Sequence, residues 1–191
     1  MTRSIHRGPW RIDLDVREGV TSPLSGAALA RLVGDTLDAA GAPAPASIGL
    51  ILADDAELAG LNASHMDKAG PTDVLSFPLL PPTAFPPHPG RPAGDAGRSS
   101  PSFALPPRSR THLGDIVVSV ERATEQALGG AGGQTGDVRW TPTDELRLLV
   151  VHGVLHITGW DHLEAVEEAA MRALERRLLT SATTAEGPGR R

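Results

Sequence analysis

This 191-residue sequence predicts an α+β domain, a small mixed sheet of about four strands packed with about five helices. Three patterns point there. Trp10 to Arg17 alternates, with Trp10, Ile12, Leu14 and Val16 on one face and Arg11, Asp13, Asp15 and Arg17 on the other, as in a half-buried strand. Ser47 to Ala53 is an unbroken apolar run of strand length, which suits a central strand covered on both faces. Helical spacing recurs between and after these runs, so the chain mixes both kinds of element.

Each element has its own signal. From Ser25 to Ala40, Leu29, Leu32, Val33 and Leu37 share one helix face, and Gly41-Ala42-Pro43 stops the helix. Asp54 or Asp55 caps a second helix that runs to about Ser64, with Asn62 near its end. Val74 to Phe77 is a short β-prone run between Thr72-Asp73 and Pro78. Ile116 to Val120 is the last strand, and Val120 to Leu128 continues as a helix ended by Gly129-Gly130. Thr141-Pro142-Thr143-Asp144 starts another helix, with a threonine cap, proline in the first position and an acid in the first turn. Leu146, Leu149, Val150, Val154 and Leu155 pin that helix in the core. Leu163 to Leu179 is the final amphipathic helix, with Val166, Ala170, Met171, Leu174 and Leu178 inward and a Glu168/Arg172 pair outward.

The length suits a single domain, expected over residues 1–179. Within it, Leu79 to Arg110 is rich in proline, glycine and serine with little to bury, and reads as a disordered insertion. Gly129 to Gly136 reads as flexible, and 180–191 as a disordered tail. Cysteine is absent, which suits a reducing cytoplasm. No apolar run approaches the ~18 residues of a membrane span, and no secretion signal is visible. A net charge of −5 is not that of a general nucleic-acid binder, although charges beside a site set its local field.

The chemistry gathers in Val151-His152-Gly153-Val154-Leu155-His156-Ile157-Thr158-Gly159-Trp160-Asp161-His162. On a helix, His152 and His156 lie ~40° apart around the axis and ~6 Å along it, so both reach one metal ion. Had the helix continued, His162 would be rotated ~120° from His156. Gly159 stands where the helix must break, and glycine adopts the left-handed conformation that ends a helix. Three imidazoles and an open fourth position are what catalytic zinc uses to activate water; nickel, iron and copper accept the same ligands. Zinc proteases share the first spacing but carry a glutamate base directly after the first histidine. Here that position is Gly153, so a protease is the weaker reading.

With Gly153-Val154-Leu155 between two histidines and Gly159-Trp160-Asp161 before the third, the stretch resembles the H-G-x-L-H-x-x-G-[YW]-D-H signature of the YbeY family. Pro71-Thr72-Asp73-Val74-Leu75-Ser76-Phe77-Pro78 and Leu113-Gly114-Asp115-Ile116 are similar to two further blocks of that family, in the same order. The resemblance implies a zincin-like fold and a metal-dependent endoribonuclease of ribosomal RNA maturation. It implies one Zn2+ per chain on His152, His156 and His162, with His152 at the catalytic centre. Asp161, Thr72, Asp73, Ser76 and Lys68 are candidates for supporting the ligands or meeting substrate. The family commonly has an arginine four residues after the position of Asn62, where this chain has Met66, so either Lys68 or a distant arginine replaces it or catalysis is weaker than the resemblance implies. Trp160 reads as core rather than as a base-stacking surface, and His65 and His112 as surface residues.

The expected activity is single-strand-preferring RNA cleavage in small-subunit ribosomal RNA 3′ end maturation and ribosome quality control. The expected partners are single-stranded ribosomal RNA and the small ribosomal subunit or its proteins, in the cytoplasm and without a membrane. Two alternatives stand beside it: a non-catalytic ribosome-assembly factor with a structural metal, and a metalloprotease with its base elsewhere.

Overall fold

The alternation at Trp10 and the apolar run at Ala46 both become strands, and they lie side by side in parallel. The computed structural model describes residues 2–66, 69–89, 110–129 and 140–186, and among these residues five strands form one sheet against five α-helices. In chain order they are β1 (Arg3–Arg7), β2 (Trp10–Val16), α1 (Gly26–Ala39), β3 (Ala46–Ala53), α2 (Asp55–Met66), β4 (Val74–Pro78), β5 (Thr111–Ser119), α3 (Val120–Leu128), α4 (Pro142–Ile157) and α5 (Ala165–Glu186), with a 3-10 turn at Pro82–Ala84. The sheet order is β1-β2-β3-β5-β4. β2, β3 and β5 run parallel, and the two outer strands are antiparallel to their neighbours.

β3 is buried on both faces, as its unbroken apolar run requires. Ile48, Leu50 and Leu52 join Ile12, Ile116 and Val118 against Leu29, Val33 and Leu37 of α1. On the opposite face Ile51 and Ala53 pack with Val117, Phe77 and the α2 residues Leu58 and Leu61. α4 is buried from Glu145 through Val151, at Gly153, Val154 and Leu155 and at Ile157, because a helix apolar nearly all round belongs inside. Its start is fixed by a capping box: Thr141 Oγ1 accepts the Asp144 N–H at 3.2 Å, and Asp144 Oδ2 accepts the Thr141 N–H at 3.1 Å. The functional stretch therefore rides on a helix buried along most of its length.

The mixed sheet is as expected, with five strands among the described residues where the sequence predicts about four. β1 folds back on β2 through Gly8-Pro9, placing Ile5 opposite Ile12, and its otherwise polar sequence is that of an edge strand, with no alternation to reveal it. β5 begins at Thr111 rather than Ile116. Ser47 and Gly49 of β3 face His112 and Asp115 of β5, so β5 carries an extra residue there and the period-two pattern is broken. Gly114, in this bulge, has φ 146°, and a Cβ on it would lie 2.4 Å from the Phe77 carbonyl oxygen.

The stretch expected to be a disordered insertion is in part folded. Leu79 donates its N–H to the Leu113 carbonyl at 3.0 Å, and Phe85 is buried in the main core. Residues 90–109 lie outside the described residues, as do 130–136 of the expected flexible piece. The final helix runs seven residues past Leu179, to Glu186, because no glycine or proline interrupts it before Gly187-Pro188. Ala182 packs against the core, so 180–186 of the expected tail are helical, and 187–191 lie outside the described residues. Among the described residues no helix is long and apolar enough to cross a membrane.

Candidate metal centre

His152 and His156 sit one turn apart on α4, and Gly159, with φ 83°, ends the helix. The chain turns back within three residues and returns His162 to the same place. One nitrogen from each ring lies within 4.8 Å of the others, which brackets the about 3.3 Å nitrogen spacing of a tetrahedral zinc site. The three ring centroids are 4.5, 5.2 and 5.7 Å apart.

Hydrogen bonds decide which nitrogens face inward. His156 Nδ1 donates to the Trp160 carbonyl at 3.0 Å, and His152 Nδ1 donates to Glu175 Oε1 at 2.8 Å. A neutral imidazole has one N–H, so each Nε2 keeps a lone pair. The two Nε2 atoms stand 2.9 Å apart. Two lone pairs at that distance call for a cation between them, and a third imidazole on the same spot favours a metal ion over a proton. Burial, and then the neighbouring His152 and His162, push His156 down from 6.5 to about 4, which keeps it an unprotonated ligand at neutral pH. The donor set thus fits a resident metal.

His152 and His162 open on a cleft of about 180 Å³, otherwise lined by Glu168, Met171, Arg172 and Glu175 of α5. The Glu168/Arg172 pair, expected on the outward face of α5, forms a 2.6 Å ion pair in the cleft wall. Arg172 lines the same cleft as His152 and His162, whereas Met66 is exposed at the end of α2. Val166, expected inward, is exposed, and Glu167 is buried in its place with Oε1 accepting the Asp161 N–H at 2.9 Å. The helix starts at Ala165 and docks its first turn through that carboxylate, while Met171, Leu174 and Leu178 are buried and Ala170 packs against the core as expected.

Gly153 explains why no glutamate follows the first ligand. A Cβ there would lie 2.6 Å from Ile116 Cγ2 and 3.2 Å from Val74 Cγ2, so α4 rests on the sheet at this point and excludes a side chain. Ser76 Oγ donates to the Gly153 carbonyl at 3.1 Å, tying β4 under the metal helix. Asp73 Oδ1 accepts the Val74 N–H at 2.8 Å and Thr72 Oγ1 at 3.3 Å, and its Oδ2 accepts Gln126 Nε2 at 3.2 Å. Asp161 Oδ1 accepts the His162 N–H at 2.7 Å, so it shapes the turn, and among the described residues no hydrogen bond joins it to a ligand imidazole. Trp160 is buried. His65 lies edge-on to Phe77, and His112 bonds Ser47 and Asp115; neither joins the ligands. Lys68 lies outside the described residues. Sequence reasoning missed Glu175, although it falls four residues after Met171 on the inward stripe, where a carboxylate needs a partner.

Comparison with known proteins agrees. The family model described as Endoribonuclease YbeY matches residues 20–183. Proteins named Endoribonuclease YbeY from Mycolicibacterium vanbaalenii and Mycobacterium tuberculosis are each 43% identical over 136 residues, covering 70% of this chain and 60% and 63% of their own lengths. One from Synechococcus sp. is 41% identical over 135 residues, covering 70% of this chain and 64% of its own length. The match thus spans under two thirds of these relatives. The solution structure of TM1509 from Thermotoga maritima superposes with a TM-score of 0.52 over 95% of this chain and 99% of that one, at 21% identity, a likeness of fold. On fold, metal-ligand motif and sequence together, this α+β, zincin-like chain belongs to the YbeY family.

Proposed function

We propose that this protein is a zinc-dependent endoribonuclease that cuts single-stranded ribosomal RNA, serving small-subunit 3′ end maturation and ribosome quality control in the cytoplasm. The observation that carries the reading is the convergence of His152, His156 and His162 beside a cleft whose wall holds Arg172. The name borne by the relatives supplies the substrate class. His152, His156 and His162 would hold the zinc ion, which would supply Lewis acidity toward water and a phosphoryl oxygen. His152 enters the reaction as a ligand, because Glu175 occupies its other nitrogen. Arg172, whose guanidinium lines the cleft in an ion pair with Glu168, is the cation that would meet the scissile diester there, in the role that Met66 cannot fill. Thr72, Asp73 and Ser76 act by fixing β4 beneath α4, and Lys68 is a further candidate for the RNA backbone. The small ribosomal subunit or its proteins present the substrate.

The test is cleavage of an end-labelled RNA carrying the 3′ region of small-subunit ribosomal RNA, by wild type and His156→Ala, each with and without chelator. Cutting by metal-loaded wild type alone supports the reading, and product ends separate attack by water from attack by the neighbouring 2′-hydroxyl, which leaves a 2′,3′-cyclic phosphate. Equal cutting by both proteins defeats it. No cutting, with loss of fold on chelation, moves the site to a structural metal in an assembly factor. A protease would need a base that the Gly153 contact excludes from its usual position.

A further inference from the structure

His162 is the least supported of the three ligands. It is exposed, and among the described residues its ring makes no hydrogen bond and lies only beside the rings of His152 and His156, so the main chain of 159–162 does most to set its place. Two side chains grip that turn from outside, His88 and Glu167. The His88 ring lies face to face on Trp160, with centroids 3.8 Å apart and planes 8° from parallel. His88 Nε2 is 3.4 Å from the Gly159 carbonyl oxygen and 3.5 Å from Glu167 Oε1, the same oxygen that accepts the Asp161 N–H at 2.9 Å. Both the His88 and Glu167 side chains are buried, at 6% and 9% exposure. From inside, the Trp160 carbonyl accepts the His156 Nδ1–H.

His88 is well placed to grip. Five of the nine residues from Pro81 to Pro89 are proline, which stiffens the segment. Phe85 anchors it in the core, and Pro86 Cγ lies 3.0 Å from where a Cβ on Gly41 would stand. We infer that His88 is a positioning residue for the third metal ligand, clamping the Gly159–His162 turn so that the connection between β4 and β5 controls metal affinity. This rests on the three-histidine centre being a metal site.

The experiment titrates Co2+ into the full chain, reading both affinity and visible absorption, for wild type, His162→Ala, His88→Ala, His88→Gln and His88→Phe. Glutamine keeps bulk and polar reach without the ring face, and stands in for alanine should His88→Ala not fold. Phenylalanine keeps a ring on Trp160. The expected result is about a tenfold or greater loss of affinity in His88→Ala and His88→Gln, with a spectrum moved toward that of His162→Ala, and recovery to within about threefold of wild type in His88→Phe. Folded His88→Ala or His88→Gln protein with wild-type affinity and spectrum overturns the inference and leaves the metal centre standing. Failure of wild type to bind Co2+ overturns both.

Discussion

An imidazole binds metal as well as its other nitrogen allows. Glu175 holds His152 and the Trp160 carbonyl holds His156, each from the side away from the ligand position. Glu175→Gln keeps the shape but removes the charge that fixes the His152 tautomer, and it should cost about 10–100-fold in zinc affinity, measured by competition with a chelating dye. His156 also makes metal-free stability depend on pH. Its folded pKa is about 4 against an ordinary 6.5, so between these values the unfolded chain binds more protons. Stability should be full above 6.5 and fall as pH drops toward 4, and His156→Gln should flatten that slope in chelator-treated urea melts. The ligands were legible because helix geometry and one glycine fix their meeting within eleven residues. Glu175 stands on the inward stripe four residues after Met171, but its partner lies on another helix, and His88 comes from a segment whose path depends on packing.

At the level of elements, α4 carries the site and its two ends define it. Thr141→Ala removes the capping box and should lower stability by about 1 kcal/mol in denaturant unfolding, with the three ligands still able to bind. Gly153→Ala, with its Cβ 2.6 Å from Ile116 Cγ2, should cost about 1–3 kcal/mol by pushing α4 off β5, read as a lowered melting temperature. The strong periodic elements, β2, α1, β3 and α4, could be read from sequence because each buries a pattern of its own. β1 borrows its stability from pairing with β2, β5 hides half its length behind a bulge, and α5 continues on a weakly patterned segment that packs through Ala182. These depend on neighbours, so the sequence around them alone understates them.

For the whole molecule, the sheet and α4 hold two ligands rigidly, while the turn and α5 close the cleft over them. The charge balance of 18 basic to 23 acidic residues argues for local recognition at that cleft over broad affinity for nucleic acid. Accordingly, Arg172→Ala should weaken cleavage of a short single-stranded RNA by an order of magnitude or more while zinc content stays at the wild-type level, a comparison that separates substrate contact from metal loss. Everything returns to the three imidazoles. The most direct measurement is the zinc content of the full chain by mass spectrometry after equilibration and dialysis, for wild type and for His152→Ala, His156→Ala and His162→Ala, with circular dichroism on each. The account predicts one zinc per wild-type chain and loss of it in all three variants with helical signal retained. A wild type without bound metal, or variants that keep a full complement of zinc, would contradict it.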